Sequence, residues 1–331
     1  LSLGMNPFYE SAAMVDRSDR GKLRFIGEQN LWFLDQLLTN KLDNLAEQSG
    51  AEALLLTPKG RISDHLRLIR DGDAVYADVE PGRADELLEF FRQRVFITKV
   101  EISDVTQEFG LLEVFGPETD SAIGSAGITA PPDAPYAAIS QGDLLVYRIV
   151  RPIPGVAIWV PRESLEQTRA ALADAEVADA KTGDLDTVMV VEGSPRVAVD
   201  FGDNHLPQEA ALEYLVHFAK GCYLGQEAVA MAQRGQVKRR LRHLHFEHLA
   251  LTGRVLYENE EVGTATSAAK TAGLSRGIAT IKTSVPIDAR VTVVSDESRS
   301  DAVVKALPGT IDGPRLPSAR ELRERLQGSK T

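Results

Sequence analysis

An α+β fold that ends in a small β-barrel is what this sequence predicts, and three features predict it. Strand-like and helix-like patterns are interleaved through the first 235 residues with no run of βαβ repeats. From Leu241 onward the pattern changes to short, closely spaced strands with glycine turns and no long helix. The 331 residues are too many for one ordinary core, so about two or three domains are expected.

In chain order, residues 14–26 read as a polar turn leading into a short strand that Gly27 breaks. Leu31, Leu34, Leu37 and Leu38 recur at helical spacing, with Trp32 and Phe33 widening the face; Trp32 fits a core better than a ligand pocket. Ala53–Thr57, Arg61–Ile69 and Ala74–Val79 form an antiparallel meander, with turns at Pro58-Lys59-Gly60 and Asp71-Gly72-Asp73. Ala84–Val95 is an amphipathic helix carrying Leu87, Leu88, Phe91 and Val95 on one side. Strands follow around 100–105 and 110–115. Pro117–Ala138, rich in Gly, Ala and Pro, reads as a crossover or surface loop. Leu144–Val150 and Val156–Val160 form a hairpin before a helix over Arg162–Ala175.

The β-branched run Val188–Val191 reads as a strand stopped by Glu192-Gly193-Ser194-Pro195. Pro207 can open a helix with Ala211, Leu212, Leu215 and Phe218 on one side, ending where Gly221 takes positive φ. Ala228–Ala232 continues it on a new axis to Arg234-Gly235. The domain reading is an α+β region over 1–235, with an internal boundary near 45–130, a barrel over 236–308 and a tail over 309–331. The tail's helix candidate, Ala319–Leu326, has too few apolar residues to join a core and is expected to be peripheral.

A net charge of -11 argues against a broad nucleic-acid face or an anionic-membrane anchor. One cysteine allows no internal disulfide and fits a reducing, cytoplasmic setting. No run approaches the roughly 18 apolar residues of a membrane span. Gly-x-Gly-x-x-Gly and Walker loops do not occur.

The densest chemistry is Lys220-Gly221-Cys222-Tyr223-Leu224-Gly225-Gln226-Glu227. Ahead of a helix, Cys222 would meet free N–H groups and Lys220, which favour a thiolate. Tyr223 can stack on a flat heterocycle, Gln226 both donates and accepts, and Glu227 accepts from ring N–H groups. The same residues also suit a helix–helix corner with an inert thiol. His243, His245 and His248 have strand spacing for a metal but no cysteine beside them, and an incidental polar strand explains them better. His65 and His217 are scattered, and His205 with Asp200 or Asp203 is a weak acid–base suggestion. Lys238-Arg239-Arg240, with Arg234 and Arg242, fits either an anionic ligand or a charged edge strand.

At 220–227 the sequence resembles the YgfZ family of folate-binding proteins, relatives of the aminomethyltransferase (T-protein) of the glycine cleavage system. Asp16-Arg17-Ser18, the helix from Gly27 to Thr39, Leu56-Thr57-Pro58-Lys59-Gly60-Arg61, Leu206-Pro207-Gln208-Glu209-Ala210 and Val262-Gly263-Thr264-Ala265-Thr266-Ser267 extend the resemblance along most of the chain. T-proteins carry an Asn-Ala pair near the position of Asp78-Val79, and its absence here favours the YgfZ side. The resemblance implies a three-part ring with a central cavity for tetrahydrofolate. It makes Cys222 a candidate functional thiol, and Lys220, Tyr223, Gln226, Glu227 and Glu192 candidate cofactor-binding residues. The family's Arg-x-Glu slots hold Met189 and Val191, with Glu192 displaced by one residue, and Met231 replaces a usual arginine. Each such loss removes a charge-assisted contact of about 1.5–3 kcal/mol.

The resemblance implies a tetrahydrofolate-binding protein that supports assembly, maintenance or repair of iron–sulfur enzymes, and it favours a non-enzymatic factor over an aminomethyltransferase. A tetrahydrofolate-dependent aminomethyltransferase or demethylase is one alternative; a scaffold of the same fold without a ligand is the other. The expected partners are a folate and iron–sulfur client proteins. Nucleic acid, membrane and an intrinsic metal are not expected, and the expected protein is a cytoplasmic monomer.

Overall fold

The computed structural model describes residues 6–235, 237–271, 273–296, 298–318, 320–322 and 324. Two mixed α/β units of the same connectivity come first. In one, β2 (Gly21–Ile26), α1 (Asn30–Leu37), β3 (Ser49–Leu56), β4 (Ile62–Asp71), β5 (Ala74–Val79) and α2 (Ala84–Arg92) follow one another. In the other, the matching series is β7 (Phe109–Phe115), α3 (Thr119–Ser125), β8 (Ala138–Gln141), β9 (Leu144–Ile149), β10 (Gly155–Pro161) and α4 (Leu165–Asp174). Each unit also holds a strand that adjoins the other in sequence. β1 (Ala13–Asp16) precedes β2 but pairs with β7, whereas β6 (Glu101–Asp104) precedes β7 but pairs with β2. The sheet orders β6-β2-β5-β4-β3 and β1-β7-β10-β9-β8 therefore correspond strand for strand, with β11 (Ala178–Asp179) added beside β1.

The two units solve the same corner in the same way. Gly27 (φ 132°) and Gly116 (φ 127°) each end a strand ahead of a helix. A Cβ on Gly27 would lie 2.2 Å from the Lys99 carbonyl, and one on Gly116 would lie 2.2 Å from the Ser11 carbonyl. Only glycine fits both the dihedral and that approach.

Strand alternation assigns two faces to each sheet. In the β2–β6 sheet the outer face carries Leu23, Phe25, Leu66 and Leu68, which α1 and α2 cover with Phe33, Leu34, Leu87 and Phe91. In the β1–β7 sheet Leu112, Val114, Val156 and Ile158 pack beneath α3 and α4. The inner faces look toward each other, and Tyr76 meets Trp159 edge-on at 5.5 Å between ring centroids. The part of this inner layer carried by β4 and β5 is polar: His65, Arg67 and Asp78 alternate there with the outward leucines, alanines and valines. That layer positions the site.

α5 (Thr182–Val191) then packs Leu185 and Val188 into the inner core. The expected strand over 188–191 is thus the last turn of a helix. Val190 and Val191 are buried as well, so the segment has no polar stripe to reveal its period. The helix expected from Pro207 is also absent; turns and one 3₁₀ turn, Glu213–Leu215, replace it. Ala211 adopts φ 57°, which ends any right-handed helix, and the Leu241 amide donates to the Glu209 carbonyl at 2.7 Å. α6 (Gln226–Arg234) follows.

The last unit is a closed barrel of six strands in the order β12-β15-β14-β13-β16-β17. Its members are β12 (Arg239–Phe246), β13 (Gly253–Tyr257), β14 (Glu260–Thr271), β15 (Leu274–Lys282), β16 (Arg290–Val294) and β17 (Arg299–Lys305). β17 was not legible in the sequence, because Arg299-Ser300-Asp301 opens it with polar residues; its pairing with β12 closes the sheet. Leu54, Leu56 and Ile62 of the first unit, Phe201 and Leu212, and Leu241 and Ile278 of the barrel share one core, which joins the parts. The tail departs from expectation: Leu322 is 1% exposed and lies in the inner core. Residues 319, 323, 325 and 326 of the tail's helix candidate lie outside the described residues. Among the described residues, no helix is long and apolar enough to cross a membrane.

Candidate functional site

A cavity of about 250 Å³ lies between the two inner faces, bounded by β3, β4 and β7 and by α5 with the loop that follows it. Arginines 17, 20, 67, 151 and 196 contribute to its wall, as do Glu52, Glu80, Glu113 and His65. Asp78, fully buried, organises one side. Its carboxylate meets Arg20 Nε at 2.5 Å and Arg67 Nε at 2.8 Å, and it accepts from the Tyr147 hydroxyl at 2.9 Å. Burial opposes ionisation, but Arg20 and Arg67 outweigh it and hold the Asp78 carboxyl well below the usual carboxylate range. Arg67 also reaches Glu113 at 2.5 Å and Arg20 reaches Glu80 at 2.8 Å, so the ion cluster ties both sheets together.

A second pair occupies the neighbouring wall. His65 Nε2 lies 3.1 Å from Glu52 Oε2, and Glu52 is 6% exposed. Burial would raise the Glu52 carboxyl, yet the bond from His65 and the charges of His65 and Arg67 bring it below the ordinary value. Arg151 sits 4.4 Å above the Tyr214 ring and donates to the Pro308 carbonyl at 3.1 Å, which fixes the wall next to the barrel's exit strand.

Glu80, Val197, Val199 and Phe201 are shared with a wider cleft of about 1350 Å³ between the β4–β5 end of the first unit and the barrel. His205, 7% exposed, lines this cleft. Its Nδ1 accepts from the Gly202 amide at 3.3 Å, so its proton sits on Nε2, and that N–H has no partner. Burial and then the Arg239 charge lower its basicity. Asp200 does not serve His205 as a base partner: it accepts from Thr266 at 2.6 Å, Ser267 at 2.5 Å and the Arg196 amide at 2.9 Å.

The eight-residue motif lies at the foot of α1. Lys220 Nζ donates to the carbonyls of Asp35, Leu38 and Asn40 at 2.6, 2.9 and 2.6 Å, and pairs with the Asp35 carboxylate at 3.2 Å. It thereby satisfies the carbonyls that the end of α1 leaves open. Cys222 is an exposed free thiol. Tyr223 is 8% exposed in the junction core, and burial pushes its hydroxyl up to about 12. The corner itself is at Gly225 (φ 80°), where a Cβ would lie 2.5 Å from the Thr57 carbonyl; Gly221 does not take positive φ. Gln226 and the exposed Glu227 open α6. Glu192 caps α5 and accepts from the Tyr9 hydroxyl at 2.6 Å. Among the described residues the wall of the 250 Å³ cavity contains none of these six candidates, whereas it does contain Met189. Met231 is 72% exposed on α6.

The histidine pair of β12 is turned inward: His243 Nε2 donates to the Val190 carbonyl at 3.0 Å, and His245 Nε2 lies 3.2 Å from His243 Nδ1. Among the described residues no group of three His, Cys, Asp or Glu side chains could hold a metal ion. The basic run divides. Arg239 lines the cleft, while Arg240 pairs with Glu213 and Arg242 with Asp312 at 3.0 Å.

Sequence reasoning passed over Glu52, His65, Arg67 and Glu113. The available signal was the alternation His65-Leu66-Arg67-Leu68, which reads as a half-solvated strand until a second sheet covers its polar face.

Residues 5–150 match the family described as GCVT N-terminal domain. The aminomethyltransferase of Rubrobacter xylanophilus is 24% identical over 288 residues, 81% of this chain and 74% of that protein. The tRNA-modifying protein YgfZ of Vibrio vulnificus is 31% identical over 189 residues, 56% of this chain and 55% of that protein. A chloroplast protein of Arabidopsis thaliana, At1g60990, whose transferase name is provisional, is 23% identical over 283 residues; the chain spans 63% of its length. The crystal structure of glycine cleavage system aminomethyltransferase T from Bartonella henselae superposes with a TM-score of 0.83 at 17% identity, over 93% of this chain and 89% of that one. These findings correct one expectation. Preference for a non-enzymatic factor rested on the YgfZ-like motif and on Asp78-Val79 in place of an Asn-Ala pair, whereas aminomethyltransferases recur among the relatives that match along most of the chain. This chain carries the aminomethyltransferase fold, and a YgfZ-type protein, of the family its sequence resembles, is among its relatives.

Proposed function

We propose that this protein is a tetrahydrofolate-dependent one-carbon transferase, an aminomethyltransferase or a demethylase. The observation that carries this reading is the charge-lined cavity between the inner sheet faces, which shares part of its lining with a larger cleft at the barrel. The inner cavity, at about 250 Å³, falls short of the roughly 300–1,000 Å³ of ligand pockets and suits a bicyclic pterin better than a whole folate. Its carboxylates Glu80 and Glu113 can accept from the amino and ring N–H groups of a pterin. The partnerless N–H of His205, beside Arg239 in the outer cleft, fits a carboxylate or carbonyl of the folate's tail. Bound tetrahydrofolate would supply the nucleophilic amine that accepts a one-carbon unit. The chain's own residues would bind that amine's ring, orient it and exclude water.

The test is formation of methylene-tetrahydrofolate from purified protein, tetrahydrofolate and an aminomethyl donor, or of methyl-tetrahydrofolate when the donor is an N-methyl amine. No product with any donor, together with no tetrahydrofolate binding at millimolar ligand, overturns the proposal.

A role in keeping iron–sulfur enzymes active is a second reading, favoured by the exposed Cys222 thiol within the YgfZ-like motif. It would make iron–sulfur proteins the partners and a reducing compartment the setting. Cys222→Ser should leave the melting temperature unchanged and remove restoration of a damaged iron–sulfur enzyme; unchanged restoration would end the thiol's part in it.

A further inference from the structure

We propose that His65, held by Glu52, is the acid–base group of the inner cavity, exchanging a proton through its Nδ1 with the amine that accepts the one-carbon unit. This rests on the one-carbon transferase reading above, and adds to it a residue that the motif does not contain.

Three observations carry it. First, the pair is built into the fold. β3 and β4 pair with Leu54 opposite His65 and Glu52 opposite Arg67, so Glu52 is the diagonal neighbour of His65 on the inner face. Second, the pair is asymmetric. Glu52 is 6% exposed and the His65 side chain is 19% exposed, and both belong to the cavity wall. The buried partner orients and the half-open one faces the cavity. Third, the contact selects a tautomer. An ionised carboxylate only accepts, so the 3.1 Å contact requires a proton on Nε2, and the neutral imidazole then carries its lone pair on Nδ1.

The surroundings support the same division of labour. Burial opposes ionisation of Glu80, but the charge and hydrogen bond of Arg20 outweigh it and lower its carboxyl from the ordinary value. Arg67 and Arg151 act on Glu52 from β4 and from the loop before β10, and the Tyr136 hydroxyl bonds to Glu52. His65 therefore stands between two carboxylates, Glu52 and Glu80, each of which is itself backed by arginine. Glu52 is a positioning residue in this arrangement.

The proton step balances without an outside reagent. Bound tetrahydrofolate would supply an amine that bonds to the donor's one-carbon atom as the bond from that carbon to its leaving group breaks, both electrons going to the leaving group. His65 Nδ1 would take the proton that the amine sheds and return it to the leaving group.

Two measurements test this. Nitrogen NMR of the imidazoles in the ligand-free protein is expected to show the Nε2–H tautomer at His65, lost or mixed in Glu52→Gln; an Nδ1–H tautomer in the wild type overturns the proposal whatever ligand binds. In turnover, His65→Asn and His65→Gln are expected to lower kcat by about 10²–10⁴-fold. They should also abolish the acid limb of the pH profile of kcat/KM while tetrahydrofolate affinity and melting temperature stay near wild type. Glu52→Gln should lower kcat with little change in affinity, and Glu52→Asp should restore part of it. An acid limb that persists unchanged in both His65 variants overturns the proposal. Absence of tetrahydrofolate binding to the wild type removes the folate reading instead, and the tautomer result then stands by itself on the His65–Glu52 pair.

Discussion

Asp78 shows how one buried charge can hold an interface between sheets. Its carboxylate is shared by Arg20, Arg67 and Tyr147, so Asp78→Asn leaves two buried guanidinium groups short of a counter-charge. Breaking a buried pair in this way costs about 3–5 kcal/mol, which urea unfolding at pH 7 would read directly. The pH dependence follows from the depressed carboxyl. Because the folded value lies below the unfolded one, the stabilisation is complete above about pH 4 and disappears as pH falls toward the folded value. The variant should therefore differ most from wild type near neutrality and least in acid. Lys220 makes the complementary case: with three carbonyls and Asp35 around its ammonium, Lys220→Met should destabilise by about 3–5 kcal/mol in the same assay. In the sequence Lys220 reads as a ligand residue because its neighbours are Cys222 and Tyr223. The partners that occupy its ammonium come from Asp35 to Asn40, some 180 residues away. A sequence pattern cannot show such a partner.

Among elements, the legible ones were those whose surroundings differ between faces. The meander β3–β4–β5, the helix α2 and five of the six barrel strands each carry a clear period. Residues 188–191, the last turn of α5, were read as a strand because the run Val-Met-Val-Val has no polar member to show a period, and residues 207–218 were read as a helix because a left-handed Ala211 leaves no mark in composition. The polar face of β4 had the right period but the wrong environment, since only the second sheet turns His65 and Arg67 into cavity groups. Within the motif, the corner depends on Gly225 rather than Gly221. Gly225→Ala must place a Cβ 2.5 Å from the Thr57 carbonyl at φ 80°, and a loss of about 1–3 kcal/mol is expected. Gly221→Ala, with nothing within 4 Å of its Cβ, should be close to neutral. Equal losses in thermal melts of the two variants would contradict this assignment of the corner.

At the scale of the whole molecule, the two mixed units line one polar cavity, and the barrel borders the wider cleft that shares part of its lining. The two mixed units present inner faces to each other, the barrel shares a core with the first unit, and Leu322 returns the tail to the inner core. Leu322→Ala should cost about 2–5 kcal/mol, a value a surface residue does not reach. The duplicated connectivity of the first two units was invisible in the sequence, since no repeated motif marks it; it emerges from strand order alone. Val199 lines both the inner cavity and the barrel cleft, so under the proposed function a ligand would pass it on the way in. Calorimetric titration of tetrahydrofolate into wild type and into Val199→Trp tests that claim most directly. Saturable one-to-one binding to the wild type, lost in Val199→Trp at an unchanged melting temperature, is the predicted result. Equal binding to both proteins, or none to the wild type at millimolar ligand, would contradict it.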